Sequence, residues 1–415
     1  MACKAATTVM DIPRVLGSYG GSAPGPLVIC IGGMHGNEPA GVFAMQRVLR
    51  SLHETQPAFR GELLTLSGNR AALARRCRYI AQDLNRLWTA DRIAAIRNQP
   101  ESNTQAPEEK EQRELLDAID HALARRQGPV IFLDLHTTSA EGVPFTVIGD
   151  TILNRKLALS LPAPVILGLE EHLNGTTLNY INDCGYIAVG FEGGQNDAPS
   201  SIDHHELAMW TILLTAGCVC TPDLPRVHVL RAQLTERIRT TPRVVEIRHR
   251  HALHEGDNFV MERGFSNFQP VKRGQLLARD RHGDIRAPEA GLMLMPLYQS
   301  QGTDGFFLVR EVASFWLHVA TYLRRLRLER VLPWLPGIRR HPTLPETLLV
   351  NPRIARWFVI ELFHLLGFRR QRPEGDSLVV SRRAHDVFSF EAWEARSLAK
   401  GVPPCRPSFP TTFVR

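Results

Sequence analysis

Three apolar runs in the first half of the chain break into glycine or polar residues that carry chemistry. Leu27-Val-Ile-Cys-Ile31 runs into Gly32-Gly33, Val130-Ile-Phe-Leu133 into Asp134-Leu-His136, and Tyr186-Ile-Ala-Val189 through Gly190 and Phe191 to Glu192. Short apolar runs bounded in this way read as strands buried on both faces. Between them the period changes. Val42, Met45, Leu49 and Leu52 share one face of a helix over 39–53, and Leu115, Leu116, Ile119 and Leu123 repeat at helical spacing before the second run. Residues 61–67 read as a further strand, and the polar segment 98–110, with two prolines, as a surface loop. Val165-Ile-Leu-Gly168 and Ala208–Leu214 continue the alternation. Strands alternating with helices predict an α/β fold over residues 1–223, a mixed, largely parallel sheet with helices on both faces.

The pattern then shifts twice. Between 224 and 312 the apolar runs are short and separated by Gly, Pro, Asp and Asn, as in Arg243–His249, Asn258–Met261, Gln275–Ala278, Gly291–Pro296 and Gly305–Arg310. That spacing predicts a small all-β domain. From 313 to 415 a basic helical C-terminal extension is expected, because Phe315, Leu317, Val319, Tyr322, Leu323 and Leu326 are interleaved with or followed by arginines. A second apolar stretch spans 357–368.

Chemistry collects at the ends of the three buried runs. In open α/β sheets the carboxyl edge of the strands is where ligands bind. His35 and Glu38 follow the first run, His136 ends the second and Glu192 the third. Two histidines and a carboxylate form the donor set of a zinc site with an open position, and a second carboxylate can handle protons. His35, Glu38 and His136 are therefore the candidate ligands of one Zn2+ per chain, and Glu192 is the candidate general base, later general acid.

The segments Gly32-Gly-Met-His-Gly-Asn-Glu-Pro-Ala-Gly41, Arg78-Tyr-Ile-Ala-Gln-Asp-Leu-Asn-Arg86, Asp134-Leu-His136 and Phe191-Glu-Gly-Gly194, in this order, resemble the succinylglutamate desuccinylase/aspartoacylase family, a branch of the zinc carboxypeptidase superfamily. The resemblance covers roughly residues 20–220 and implies a zinc-carboxypeptidase-like fold. It places the zinc ligands on His35, Glu38 and His136 and the catalytic carboxylate on Glu192. It implies that Asn85 and Arg86 hold a free carboxylate of the substrate and that Arg78 polarises the scissile carbonyl. Guanidinium groups suit both tasks, as forks for a carboxylate and as fixed charge beside an oxyanion. The sequence departs from aspartoacylases at Leu178–Gly185, where a second carboxylate would need a basic residue and none is present. N-acetylaspartate is not the expected substrate.

Charge and cysteine content add detail. The net charge of +7 has a local origin: residues 313–372 hold eleven Arg against three Glu, a surplus of eight. A basic, aromatic segment of this kind packs on the rest of the protein or on a second subunit, with its arginines in water, or else contacts an anionic membrane surface; nucleic acid is the less favoured partner. Seven scattered cysteines, an odd number, and no basic-then-apolar start suit a cytoplasmic protein. His249, His251 and His254 lack the carboxylate spacing of a second metal site and read as a solvated strand, and Tyr298 as a packing or surface residue. The function expected is a zinc amidohydrolase that deacylates a small N-acyl amino acid, as a monomer or homo-oligomer. A metallocarboxypeptidase acting on peptide C-termini and a non-catalytic basic interaction protein with a vestigial zinc site are the alternatives.

Overall fold

The computed structural model describes residues 12–98, 106–220, 225–342, 347–351, 354, 363–368, 370–374 and 377–382. The first seven strands are β1 (Val15–Gly20), β2 (Ala23–Gly32), β3 (Arg60–Ser67), β4 (Val130–Thr138), β5 (Phe145–Ile148), β6 (Val165–Leu167) and β7 (Ile187–Gln195). Seven more follow: β8 (Val244–Ala252), β9 (Val260–Met261), β10 (Pro270–Val271), β11 (Leu276–Asp280), β12 (Gly283–Arg286), β13 (Gly291–Leu294) and β14 (Asp304–Glu311). The last four are β15 (Ile338–Arg340), β16 (Thr347–Val350), β17 (Arg370–Glu374) and β18 (Ser377–Ser381).

Eleven of these form one sheet in the order β1-β3-β2-β4-β7-β5-β6-β8-β14-β13-β10. Its central strands β3, β2, β4 and β7 are parallel, and every residue of β4 is buried. Continuous burial explains why these strands read as unbroken apolar runs. The shorter β5 lies antiparallel to β7, and β1 forms an antiparallel edge on β3. Helices α1 (Ala40–Thr55), α2 (Arg70–Arg75), α3 (Ala90–Asn98), α4 (Pro107–Ala124), α5 (Ile152–Ser160), α6 (Leu169–His172), α7 (Thr177–Asp183), α8 (Pro199–Thr215), α9 (Pro225–Arg237) and α10 (Ser314–Arg325) surround it.

Two cores flank the sheet. On one face α1 contributes Val42, Met45, Val48, Leu49 and Leu52, which pack with α5, α8 and the strands. On the other, Ile93 and Ile96 of α3, the α4 residues Leu115, Leu116 and Ile119, and Trp88 form a second cluster. Each such fully buried side chain contributes roughly 1.5–3 kcal/mol relative to exposure. Helix α4 begins at Pro107, well placed at a first helical position, so the end of the polar segment 98–110 is helical; residues 99–105 lie outside the described residues.

Of the strands of 224–312, β8, β14, β13 and β10 extend this sheet. Strand β8 lies parallel to β6 on one side and antiparallel to β14 on the other, while β12-β11-β9 form a separate three-stranded sheet. The same span starts with a helix, α9, which the short-run pattern did not foretell; Val227 and Leu234 bury it against the first core.

The C-terminal extension is helical at its start, in α10, and then adds an unforeseen four-stranded antiparallel sheet, β15-β16-β18-β17. Leu332, Ile338, Leu348, Val350, Phe363, Leu366, Phe368 and Val380 form its own core. Residues 357–362 of the second apolar stretch lie outside the described residues. Helix α10 departs from the expected sidedness. Leu317 packs toward the first core and Leu323 toward that of the extension, yet Phe315, Trp316, Tyr322 and Leu326 face solvent and Arg324 is buried. Arg324 tolerates burial because it is fully engaged. Nη2 lies 3.0 Å from Asp150 Oδ2, and further donors reach the carbonyls of Asp150, His364 and Leu365.

Candidate active site

Parallel register assembles the site. His136 of β4 is paired with Glu192 of β7, and Leu135 with Gly32 of β2, so three strand ends deliver their side chains side by side. The turn after β2 needs its glycines. Gly33 adopts φ +73°, and a Cβ on Gly36 would lie 2.0 Å from the carbonyl carbon of Ala72. This tight passage drops His35 and Glu38 under the first turn of α1.

His35, Glu38 and His136 come together, all buried, with donor atoms that lie within 4.8 Å of one another; no other group of this kind exists among the described residues. His35 Nδ1 lies 2.9 Å from Glu38 Oε1, and His136 Nδ1 lies 3.1 Å from Oε2. The opposite nitrogens face carboxylates: His35 Nε2 is 3.0 Å from Asp83 Oδ1 and His136 Nε2 is 3.1 Å from Asp134 Oδ2. Carboxylates on the far nitrogens orient both rings and point both Nδ1 atoms at one spot, the usual support of a metal-ligating histidine. The backbone N–H of Thr137 and Arg78 Nη1 also donate to Glu38, at 3.1 and 3.2 Å. The residues present fit a metal ion.

Electrostatics divides the carboxylates. Burial opposes ionisation of Glu38, but His35 and His136 outweigh it and hold that carboxyl well below the ordinary range. Asp83 is likewise buried and held low by His35 and then Arg78. His136 is raised: burial works against its charge, while Asp134 and Glu38 favour it. Glu192 goes the other way. Burial pushes it up to about 8, with His136 pulling down and Glu38 pushing up, and its Oε2 has no hydrogen-bond partner among the described residues.

The remaining expected residues line the same cavity, which measures about 670 Å³ out to its open mouth. Arg78 bridges Glu38 and, at 3.3 Å, Asp83 Oδ2. Asn85 accepts from the Thr177 N–H at 2.9 Å and turns its amide nitrogen toward His136. Arg86 donates to the Asn85 carbonyl and faces Asp304 Oδ2 at 3.5 Å. The segment 178–185 supplies Leu178 and Asn179 to the wall, joined by Val147, Leu169, Leu173 and Met295.

Four contributors were not assigned roles from the sequence. Asp83 and Asp134 lie inside the quoted motifs, and Asp134 shares a strand face with His136 by the two-residue period, a signal that could have found it. Thr177 and Asp304 had none, since α7 and β14 reach the site only through folding. Tyr298 does not line the cavity: its hydroxyl donates to the Glu262 carbonyl at 2.8 Å and accepts from the Phe265 N–H at 2.9 Å. His251 stacks on Phe306, with ring centroids 5.2 Å apart, so that strand face is packed rather than simply solvated.

A mixed α/β sheet with two histidines, a glutamate and a second carboxylate at one edge is a setting in which a hydrolytic metal site can be built. Residues 24–201 match the succinylglutamate desuccinylase/aspartoacylase catalytic domain. That segment carries the strand-end residues His35, Glu38, His136 and Glu192, so this part of the chain is similar to that catalytic domain. A succinylglutamate desuccinylase of Burkholderia thailandensis is 24% identical over 272 residues, 62% of this chain and 71% of its own. The crystal structure of a succinylglutamate desuccinylase/aspartoacylase from Rhodobacter sphaeroides shares the fold with a TM-score of 0.52 at 15% identity, covering 72% of this chain and 88% of that one.

Proposed function

We propose that this protein is a zinc-dependent deacylase that cleaves the amide bond of an N-acyl amino acid or a related small amide bearing a carboxylate. The observation that carries the reading is Glu192, a buried carboxyl with one oxygen that has no hydrogen-bond partner among the described residues, paired in register with His136 at a cavity that Arg78, Asn85 and Arg86 also line.

Two imidazoles and one carboxylate suit zinc, one ion per chain, held by His35, Glu38 and His136. When bound, zinc supplies a Lewis acid that polarises a carbonyl and makes water acidic enough to attack near neutral pH. Asn85 and Arg86 anchor the substrate carboxylate, and Arg78 places positive charge beside the scissile carbonyl, where negative charge develops. Glu192 accepts a proton from the attacking water and returns it to the leaving nitrogen, so the C–N bond breaks into a free amine and a carboxylate. A carboxyl raised toward neutrality can both take and return that proton.

The cavity wall narrows the substrate. Val147, Leu169, Leu173, Leu178 and Met295 face it, and among the described residues no Lys or Arg other than Arg78 and Arg86 lines it, which supports an uncharged group lying there. Residues 296–301 are tied to the segments that carry the site, which supports a small molecule over a peptide chain: Asn37 Nδ2 donates to Gln299 Oε1 at 2.8 Å, Ser139 Oγ to the Pro296 carbonyl at 3.3 Å, and Gln301 Nε2 to the Tyr79 carbonyl at 3.3 Å. We further read residues 1–223 as the catalytic unit, 224–312 as the β unit that closes it and 313–415 as an appendage, in a protein of the cytoplasm.

The test is metal content together with hydrolysis of a panel of N-acyl amino acids and peptides, on the wild type and on Glu192→Gln. One zinc per chain in both, with a rate loss of about 10²–10⁴-fold in the variant, is expected. Unimpaired turnover by the variant overturns the mechanism, release of C-terminal residues from peptides favours a carboxypeptidase, and absence of zinc points to the non-catalytic reading.

A further inference from the structure

We propose that the outer face of the C-terminal extension is a docking surface for an anionic lipid bilayer. Helix α10, the two short helical turns Leu328–Arg330 and Leu332–Trp334, and β15 follow one another and pack in series. Their outward side carries an unusual load. Trp334 is 83% exposed, Phe315 66% and Tyr322 64%, and Trp316, Leu326, Leu328, Val331 and Leu335 are exposed beside them. Arg325, Arg327, Arg330, Arg339 and Arg340 are exposed in the same segments.

The patch cannot be relieved by turning inward. Arg324, on the opposite side of α10, is 2% exposed and tied to Asp150 of the catalytic body, so the helix is held with its aromatic side outward. Phe315 and Trp316 brace each other edge to face, with centroids 5.3 Å apart, and stay at the surface. Contiguous exposed apolar groups of this kind mark an interaction site.

Charge selects the occupant. Between Ala313 and Pro342 the sole acidic residue is Glu329, which is buried and paired with Arg382. A second copy docked by the same face would set five arginines against five with no acid to offset them. The partner is therefore anionic. Aromatic rings and arginine would also suit nucleic acid, but Leu326, Leu328, Val331 and Leu335 have no bases to stack on, whereas aliphatic groups flanked by Trp, Tyr and Arg suit the boundary between headgroups and acyl chains. No helix among the described residues is long and apolar enough to cross a membrane, so the contact lies on the surface. Each arginine near an anionic bilayer is worth about fivefold in binding.

The test is co-sedimentation of the full chain with vesicles of phosphatidylcholine alone or mixed equally with phosphatidylglycerol, with light scattering on the free protein and a parallel assay on double-stranded DNA and single-stranded RNA. The wild type is expected to pellet with the anionic vesicles only, less so at high salt. Trp316→Ser with Trp334→Ser, and separately Arg327→Glu with Arg330→Glu, should each weaken this by about tenfold or more, while amide hydrolysis and thermal unfolding stay unchanged. Pelleting that neither variant weakens, retention on nucleic acid without vesicle binding, or a dimer that dissociates in the tryptophan variant would each overturn the proposal. Because none of the substituted residues lines the cavity, loss of lipid binding with hydrolysis intact separates this inference from the catalytic reading.

Discussion

The strand-end site and the outer face of the C-terminal extension handle charge and apolar surface in opposite ways. At the site, Glu38, Asp83, Asp134, His35 and His136 are buried and paired with one another, and apolar side chains form the wall. On the extension, arginines and aromatic residues are exposed together, and the buried Arg324 fastens the helix. Burying an ionised group costs several kcal/mol unless its partners replace the lost water. The catalytic edge accepts that cost because pairing fixes geometry. The extension avoids it and leaves its surface free for a partner.

Arg324 offers the sharpest way to break this contrast. Replacing it by Met removes one charge partner of buried Asp150, Arg155 being another, and should cost about 3–5 kcal/mol of stability, seen as a lower thermal midpoint and earlier proteolysis of the extension. Hydrolysis per folded molecule should persist. An unchanged midpoint would mean that the extension is not held by this pair.

Asp83→Asn comes next in size. It keeps an oxygen for the Asn85 N–H but removes the charge behind His35, so metal affinity should fall about 10–100-fold, measured by competition with a chelator. Affinity equal to wild type would separate Asp83 from the site.

The smallest effect is a pH slope in the metal-free protein. The Glu192 carboxyl is raised from an ordinary 4.5 to about 8, so between those values the folded state holds a proton that the unfolded chain has lost. Stability should therefore fall as pH rises through that window, by about 1.4 kcal/mol per unit at the steepest. Chelator-treated Glu192→Gln should show a flatter profile and be the more stable of the two above pH 8. Parallel profiles in denaturant titrations would contradict the buried, charge-averse setting of Glu192.

The four residues at strand ends were legible because each closes or follows an apolar run, and the ends of parallel strands necessarily share one edge. His35, Glu38, His136 and Glu192 thus needed only strand direction and the α/β alternation to be placed together. Arg78, Asn85 and Arg86 were placed through a resemblance rather than a pattern, since a loop with no period carries no direction of its own. Strands β1 and β5 escaped notice: β1 is an exposed edge and β5 spans four residues. Helix α9 hid within a segment read by its short strands.

Local order along the chain therefore determined the alternation of elements, the apolar strands and the candidate chemistry at their ends, because burial on both faces and helical period are written into neighbouring residues. Only tertiary structure decided that Asp304 stands behind Arg86, that residues 296–301 bond to Asn37, Tyr79 and Ser139, and that α10 turns Arg324 inward and its aromatic side outward. These contacts join positions about one to three hundred residues apart, where the cost of burying a charge or leaving an indole in water depends on what the rest of the fold brings alongside.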